Sequence, residues 1–157
     1  MKVLAFLQNQ WFKDPKGVKA IYARYPDKRN VFIARFLFMG CLTGKRLQKA
    51  FGAEVCNSII WEEASPEVGG TSDSVFKADL AHIEAAILKH NPQVILCLGK
   101  IACDAVKAVV EKLQHDQGVL IPTIYGPHPA ARTNPMPALL AIAEQLTHTQ
   151  TNCSTAV

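Results

Sequence analysis

Short apolar runs alternate with longer amphipathic segments along this chain, and each run ends in polar or turn-forming residues. The clearest runs are Val3–Leu7 and Val94–Leu98, in which every position is apolar. Weaker runs cover 54–61 and 119–125. Continuous apolar strands are typical of parallel sheets that are covered by helices on both faces. The pattern therefore predicts four strands of a mostly parallel sheet.

Helical patterns fill the segments between these strands. The predicted helices cover 16–24, 31–38, 45–51, 76–90, 101–114 and 136–147. We expect Asn30 to cap the second helix and Thr71 or Ser74 to cap the fourth, because such side chains accept hydrogen bonds from first-turn N–H groups. Alternating strands and helices predict an α/β fold, with one three-layer α/β/α domain at 1–148 and a flexible tail at 149–157.

Composition agrees with a single globular domain. The 157 residues are 49% hydrophobic and 19% charged, which is enough apolar material for a sizeable core. No apolar run approaches the roughly 20 residues that cross a bilayer, and the first residues turn polar too soon for a signal peptide. We expect a cytosolic or nucleoid-associated monomer, of cellular or viral origin, with no membrane partner.

The cysteines give no sign of a metal centre. None of them forms a CxxC pair, so neither a zinc ribbon nor an iron–sulfur site is predicted. We expect buried, inert thiols in a reducing compartment, with no metal and no other cofactor. The five cysteines are Cys41, Cys56, Cys97, Cys103 and Cys153.

Positive charge is concentrated in the first third of the chain. Residues 1–50 hold 11 lysines and arginines against 2 acidic residues, a net +9, whereas residues 51–157 hold 6 against 11, a net −5. The predicted third helix contributes Lys45, Arg46 and Lys49 to this basic region. Such a concentration favours a polyanionic partner, namely nucleic acid. The alternative is a solvated basic surface without a partner.

Ligands of open parallel sheets bind at the carboxyl ends of the strands. Those ends carry Gln8, Asn9 and Trp11 after the first strand, Lys100 after the third, and His128 after the fourth. The chain has no GxGxxG, no GxxxxGK[ST] and no GxSxG, which disfavours dinucleotide, P-loop and serine-hydrolase chemistry. Lys100 follows a glycine at a helix start, which indicates either a phosphate contact or a tight turn.

His128 lies between Pro127 and Pro129, which stiffen the backbone around it. The simpler interpretation is a rigid turn whose histidine faces water. An imidazole at a strand end can also be aimed at a ligand. Together with the amide of Asn9 and the flat face of Trp11, it suits a nucleobase, which is recognised by edge hydrogen bonds and stacking.

The order of these motifs resembles the uracil-DNA glycosylase superfamily. Residues 7–11 lie where the family has its first motif, GQDPY or a variant with asparagine. Residues 38–47 are similar to its phenylalanine, glycine and helix-start segment, and 94–102 to a later strand and turn. Residues 126–132, Gly-Pro-His-Pro-Ala-Ala-Arg, resemble the terminal histidine-proline motif. The resemblance spans about residues 3–146 and implies hydrolysis of a base–sugar bond in DNA.

The resemblance also implies roles for individual side chains. His128 would stabilise negative charge on the departing base, and Asn9 would position water or contact the base. Phe38 would stack on the flipped base, while Trp11 would wall the pocket. Arg132 would fill or brace the vacated stack. Two further base-contacting residues are Gln8 in the first motif and Asn57 near the second strand. Lys45, Arg46 and Lys49 of the basic region, together with Lys100, are the candidate DNA contacts that the charge pattern adds.

The chain departs from the best-known branch of the family in its first motif. Asn9 stands where that branch has an aspartate, as it does in the thymine-mismatch and single-strand-selective branches, and Leu7 and Gln10 replace a glycine and a proline. Three functions therefore stay open. They are an N-glycosylase for uracil or a modified pyrimidine, an inactive DNA- or protein-binding module of the same fold, and an unrelated small-molecule α/β enzyme.

Overall fold

The computed structural model of this chain describes residues 1–8, 11–70 and 77–154, without the side chains of Trp11 and of 152–154. The described strands are β1 (Val3–Leu7), β2 (Trp11–Phe12), β3 (Ile60–Glu63), β4 (Gly69–Gly70), β5 (Val94–Leu98) and β6 (Thr123–Gly126). Four of them form an all-parallel sheet in the order β3-β1-β5-β6, and β2 pairs with β4 in a separate parallel ribbon. This confirms the predicted α/β class.

Helices follow or precede each strand of the main sheet. A 3-10 turn at Pro26–Lys28 joins the first two helices. The α-helices of the described residues are α1 (Pro15–Arg24), α2 (Arg29–Leu37), α3 (Leu42–Phe51), α4 (Ala53–Ser58), α5 (Leu80–His90), α6 (Lys100–Gln117) and α7 (Met136–Ser154). None of them is long and apolar enough to cross a membrane.

The helices cover both faces of the sheet and create two cores. On one face, Ala5 and Leu7 of β1 pack with apolar side chains of α1, α2, α3, α4 and α7. On the other, Leu4 and Phe6 pack with α5 and α6. All five residues of β1, and likewise of β5, are buried. Burial on both faces explains why these central strands are unbroken apolar runs in the sequence, and the predicted three-layer α/β/α architecture is confirmed.

The strand register brings the carboxyl ends together at one edge of the sheet. Leu7 pairs with Glu63, and Leu98 pairs with Gly126. The amides of 64 and 65 extend the pairing, because they donate to the carbonyls of Leu7 and Gln8 at 2.6 and 3.0 Å. The segments that follow β1, β3, β5 and β6 therefore share one edge, which is where ligands of such sheets bind.

The second predicted strand, 54–61, was wrong in its first part. This segment folds into α4 and only then enters β3. Gly52, whose φ is +83°, ends α3 and directly precedes α4. The indole Nε1 of Trp61 donates to the carbonyl of Cys56 at 2.9 Å, which holds the end of α4 against β3. This local fold-back was hidden because apolar residues continue through both elements.

One predicted helix cap and one predicted helix start also differ from the structure. Asn30 lies inside the first turn of α2, which begins one residue earlier, and its amide donates to the carbonyl of Trp61 at 2.7 Å instead. Helix α5 begins at Leu80 rather than near 76, because the carboxylate of Asp79 accepts from the amide of His82 and caps it. The candidate caps at 71 and 74 lie outside the described residues.

The carboxyl-terminal elements shift as well. Helix α6 runs to Gln117, and Gly118 ends it with φ at +65°, so that β6 starts only at Thr123 instead of 119. The predicted flexible tail is helical as far as Ser154. Threonine hydroxyls at 147, 149 and 151 bond to the carbonyls four residues earlier, so their side chains do not oppose the helix.

Three of the four described cysteines are buried or half-buried. Burial raises the pKa of Cys56 to about 11 and raises the pKa of Cys97 further. Cys41 is exposed, against the prediction. It is the N-cap of α3, where its sulfur donates to the carbonyl of Leu37 at 3.1 Å and accepts from the amide of Gly44 at 3.4 Å. A capping residue lies at a helix end rather than on the buried face.

Candidate functional site

A cavity of about 610 Å³ opens at the carboxyl edge of the sheet. It lies between the end of β1, the turn from α2 to α3, and the segment after β6. Its walls are mainly apolar and aromatic, as is typical of ligand pockets. Gln8 and His128, which are far apart in sequence, both line it. The described lining residues are Leu7, Gln8, Phe12, Phe36, Leu37, Met39, Cys41, Thr43, His128 and Ala130.

Hydrogen bonds within its own turn fix the tautomer of His128. The backbone N–H of Ala130 donates to Nδ1 at 3.0 Å, and the N–H of Ala131 donates to the carbonyl of His128 at 3.0 Å. Because Nδ1 accepts a hydrogen bond, the neutral ring carries its proton on Nε2. Burial lowers the pKa of His128 below its usual value. The side chain is therefore a neutral N–H donor at neutral pH.

Gly99 makes room for the imidazole. Its φ is +101°, and a Cβ built on it would lie 3.2 Å from Cβ and 3.3 Å from Cδ2 of His128. Its amide donates to the carbonyl of Gly126 at 2.9 Å, which continues the pairing of β5 with β6. A side chain at 99 would strain the backbone and press on the ring. The Gly99-Lys100 turn thus serves the placement of His128.

Arg46 ties α3 to the turn that carries His128. Its Nη1 donates to the carbonyl oxygens of Pro129 at 2.8 Å and of Ala131 at 3.0 Å. Arg46 was predicted to contact DNA, but one nitrogen of its half-buried guanidinium is engaged inside the protein. The structure therefore gives Arg46 a positioning role for His128, which sequence spacing did not reveal.

The other predicted DNA contacts are at the surface. Lys45 and Lys49 are exposed on α3, and Arg132 is exposed just after the His128 turn. Lys100 is exposed at the start of α6, where its Nζ lies 2.8 Å from Oδ2 of Asp104. That ion pair joins residues one helical turn apart.

The structure does not bring all the residues that were expected to contact the base to the cavity. Asn9 and the side chain of Trp11 lie outside the described residues. Phe38 is not among the described lining residues, because its ring packs edge-on against Trp61 with the centroids 5.7 Å apart. Asn57 is exposed on α4, which precedes β3 and so lies towards the opposite edge of the sheet. The structure does not bring Asn57 to the cavity.

Aromatic walls of the cavity come from Phe12 and Phe36 instead. Their rings meet edge-on with centroids 5.2 Å apart. Phe36 comes from the last turn of α2 and Phe12 from β2. Helix α2 thus turns Phe36 to the cavity and Phe38, just after its end, to the core around Trp61.

A buried pair of acidic side chains lies at the same carboxyl edge of the sheet. Glu62 and Glu63 are 3% and 1% exposed at the end of β3. Arg29 joins them, with Nη2 at 3.0 Å from Glu63 and Nε at 3.4 Å from Glu62. Burial opposes the charge of Glu62, but bonds from His82 and the Glu63 amide, with Arg29 nearby, bring its pKa below the usual value. No role was predicted for this pair, although consecutive acids after an apolar run were a usable signal.

Tyr22 connects this acid network to the cavity wall. Its hydroxyl is buried and has no hydrogen-bond partner within the described part of the chain. Arg29 lies over its ring at 4.6 Å, and the ring centroid of Phe36 is 6.4 Å away. Burial, followed by the charge of Glu63, raises the pKa of Tyr22 well above its usual value. The phenol therefore stays neutral behind the aromatic wall.

The fold and the site define an α/β/α protein with an apolar cavity at the carboxyl edge of its sheet. One neutral histidine, held by its own turn, lines that cavity. Among the described residues no group of three or more histidine, cysteine or acidic side chains is arranged to hold a metal ion. No family model, curated protein or solved structure matches this chain.

Proposed function

We propose that this protein binds DNA and hydrolyses the N-glycosidic bond of uracil or a modified pyrimidine whose nucleotide has left the base stack. The observation that carries the proposal is the neutral Nε2–H of His128, which is held by Ala130, Gly99 and Arg46 in an aromatic cavity. The resemblance of the motif order to the uracil-DNA glycosylase superfamily supports it.

The proposed reaction breaks the bond between C1′ of the sugar and N1 of the base. The bonding electrons leave with the base, and a water oxygen forms the new bond to C1′. One water proton ends on the base or in solvent, so that the products are the free base and an abasic sugar. His128 donates from Nε2 to the base oxygen on which negative charge grows, and such preorganised donors stabilise a transition state by several kcal/mol. Asn9, which follows β1, positions the water.

Recognition of the base follows from the walls of the cavity. Phe12 and Phe36 offer ring surfaces for stacking, and the Gln8 amide and the Thr43 hydroxyl line the same cavity and are chemical groups that can hydrogen-bond to a base edge. A volume of about 610 Å³ exceeds that of one pyrimidine ring. The proposal therefore includes pyrimidines that carry a substituent. Flipping costs a few kcal/mol and is easiest in single strands or mispairs.

A second candidate is a binding module that holds DNA without cutting the bond. One observation favours it: none of the described side chains that line the cavity is a carboxylate. Asn9 also stands where the best-known branch of the family has its aspartate. Such a protein would bind the same DNA and release no base.

Base release separates these candidates. Oligonucleotides carrying uracil, hydroxymethyluracil or another modified pyrimidine are incubated with the protein, and abasic sites are cleaved by alkali and counted. His128→Asn keeps an acceptor for the Ala130 amide but lacks the Nε2–H donor, so release should slow about a hundredfold or more. His115→Asn, at an exposed site on α6, is the matched control and should retain the wild-type rate.

The wild-type protein decides between cutting and holding. If it produces no abasic site with any of these substrates and still binds the oligonucleotides, the glycosylase proposal fails and the binding module stands. If it neither releases base nor binds DNA, both proposals fail.

A further inference from the structure

An exposed apolar side chain stands at the mouth of the cavity. Met39 is 72% exposed although it lines the cavity, and Leu42 beside it is 51% exposed. Met39 lies in the turn from α2 to α3 and Leu42 is the first residue of α3, while His128 lines the same cavity. Single exposed apolar side chains are common on protein surfaces, but apolar side chains grouped beside a binding groove mark sites that partners cover.

The backbone fixes this turn, so the exposure of Met39 is built into the fold. Gly40 has φ at +118°, a conformation that L side chains rarely adopt. The Cys41 sulfur bridges the end of α2 and the start of α3. A Cβ at Gly44 would collide with the carbonyl of Leu37, which shows how closely the two helices approach. Met39 is thus presented on a rigid corner rather than on a loose loop.

Exposed cations lie on the two helices that form this corner. Arg35 lies one turn before it on α2, and Lys45 and Lys49 follow it on α3. Residues 15–51, which include α1 to α3, carry nine lysines and arginines against one acidic residue, a net +8. An apolar projection on a basic surface matches DNA, in which a stack of bases is flanked by phosphates.

We infer that Met39 is a wedge that enters the base stack of duplex DNA and fills the space left by the flipped nucleotide. The inference rests on the proposed function, since it requires a base to leave the stack for the cavity. Proteins that unstack DNA use apolar side chains of this kind, methionine included. Leu42 packs beside the wedge against the neighbouring base. Arg132, to which the family resemblance assigns the vacated stack, then contacts phosphate from the other side of the mouth.

The experiment compares duplex with single-stranded DNA, because a wedge is needed only where a stack must be opened. A 2-aminopurine next to the target base reports unstacking by its fluorescence, with or without base release. On duplex DNA, Met39→Ala should reduce the rise in 2-aminopurine fluorescence about tenfold. On the same strand without its complement, the variant and the wild type should give equal responses. Met39→Leu should keep the wild-type rise on duplex DNA. Leu120→Ala is the matched control, since Leu120 is 74% exposed and precedes β6 at the opposite edge of the sheet.

Each outcome separates the wedge from the chemistry. If wild type releases base and Met39→Ala keeps the wild-type ratio between duplex and single strand, the wedge is overturned and the proposed function stands. If wild type raises duplex fluorescence, Met39→Ala abolishes the rise, and no substrate loses its base, the wedge stands and the glycosylase proposal fails. If wild type leaves duplex fluorescence unchanged, the wedge is overturned.

Discussion

Single atoms determine what His128 can do. Its Nδ1 is occupied by the Ala130 amide, which leaves Nε2 as the donor. Its ring rests on Gly99, where a hydrogen atom stands in place of a side chain. The bond selects which nitrogen acts, and the glycine determines where the ring lies, so the two effects can be separated by mutation.

We expect Gly99→Ala to damage stability and base release together. The alanine would adopt φ near +101° and press on His128, whereas Gly52→Ala would adopt φ near +83° in open space. Both backbones lie in a region almost restricted to glycine, so each variant should lose about 1–3 kcal/mol of unfolding free energy in urea denaturation. Only Gly99→Ala should also slow base release. Equal release rates in the two folded variants would contradict the role given to Gly99.

At the scale of elements, α3 connects two parts of the site. Its first turn meets the end of α2 through Cys41 and Gly44 and so holds the corner that carries Met39. Its second turn carries Arg46, which holds the His128 turn. One helix therefore contacts both the corner that carries Met39 and the turn that carries His128, and both of these residues line the cavity.

Removal of the Arg46 side chain should loosen the His128 turn. Arg46→Ala loses two hydrogen bonds from a charged donor to the carbonyls of Pro129 and Ala131, worth about 1–3 kcal/mol in unfolding free energy. Hydrogen–deuterium exchange at the amides of 130 and 131 should accelerate. Lys49→Ala, on the exposed side of the same helix, should leave stability and exchange unchanged. Unchanged exchange in Arg46→Ala would show that these two hydrogen bonds do not restrain the His128 turn.

The whole molecule separates its charges by face. The basic helices α1, α2 and α3 pack on one side of the sheet, and α5 and α6 cover the other. On that second side, surface lysines pair with acidic side chains, as Lys112 Nζ does with Glu84 Oε2 at 2.8 Å. The net charge of +4 is therefore less informative than its distribution, which gives the protein one face suited to a polyanion.

DNA affinity should depend on the charge of the face that carries α1, α2 and α3 rather than on the net charge of the protein. Lys49→Glu and Lys107→Glu change the total charge equally, but Lys49 lies on α3 and Lys107 on α6. Fluorescence anisotropy between about 50 and 200 mM salt should show weaker binding and a salt slope reduced by about one for Lys49→Glu alone. Equal loss in both variants would mean that binding depends on overall charge and not on a basic face.

The sequence indicated the features that depend on neighbouring residues. Buried central strands gave unbroken apolar runs, and the His128 turn was visible from its two flanking prolines. Segment 54–61 was misread because a short helix and a strand can both be apolar. Arg46 was assigned to DNA because its carbonyl partners are more than eighty positions away, and such distant pairings leave no local pattern. The exposure of Met39 likewise depends on how two helices meet.

One consequence of the α2–β3 contacts concerns self-association. β3 is an outermost strand of the sheet, and outermost strands can recruit strands from other molecules. The Asn30 amide already occupies the carbonyl of Trp61, and Glu62 and Glu63 place buried charge along the same border. To pair with β3, an incoming strand would have to break the hydrogen bond from Asn30 and the ion pairs of Arg29 with the two carboxylates. Helix α2 therefore also protects this flank of the protein against aggregation.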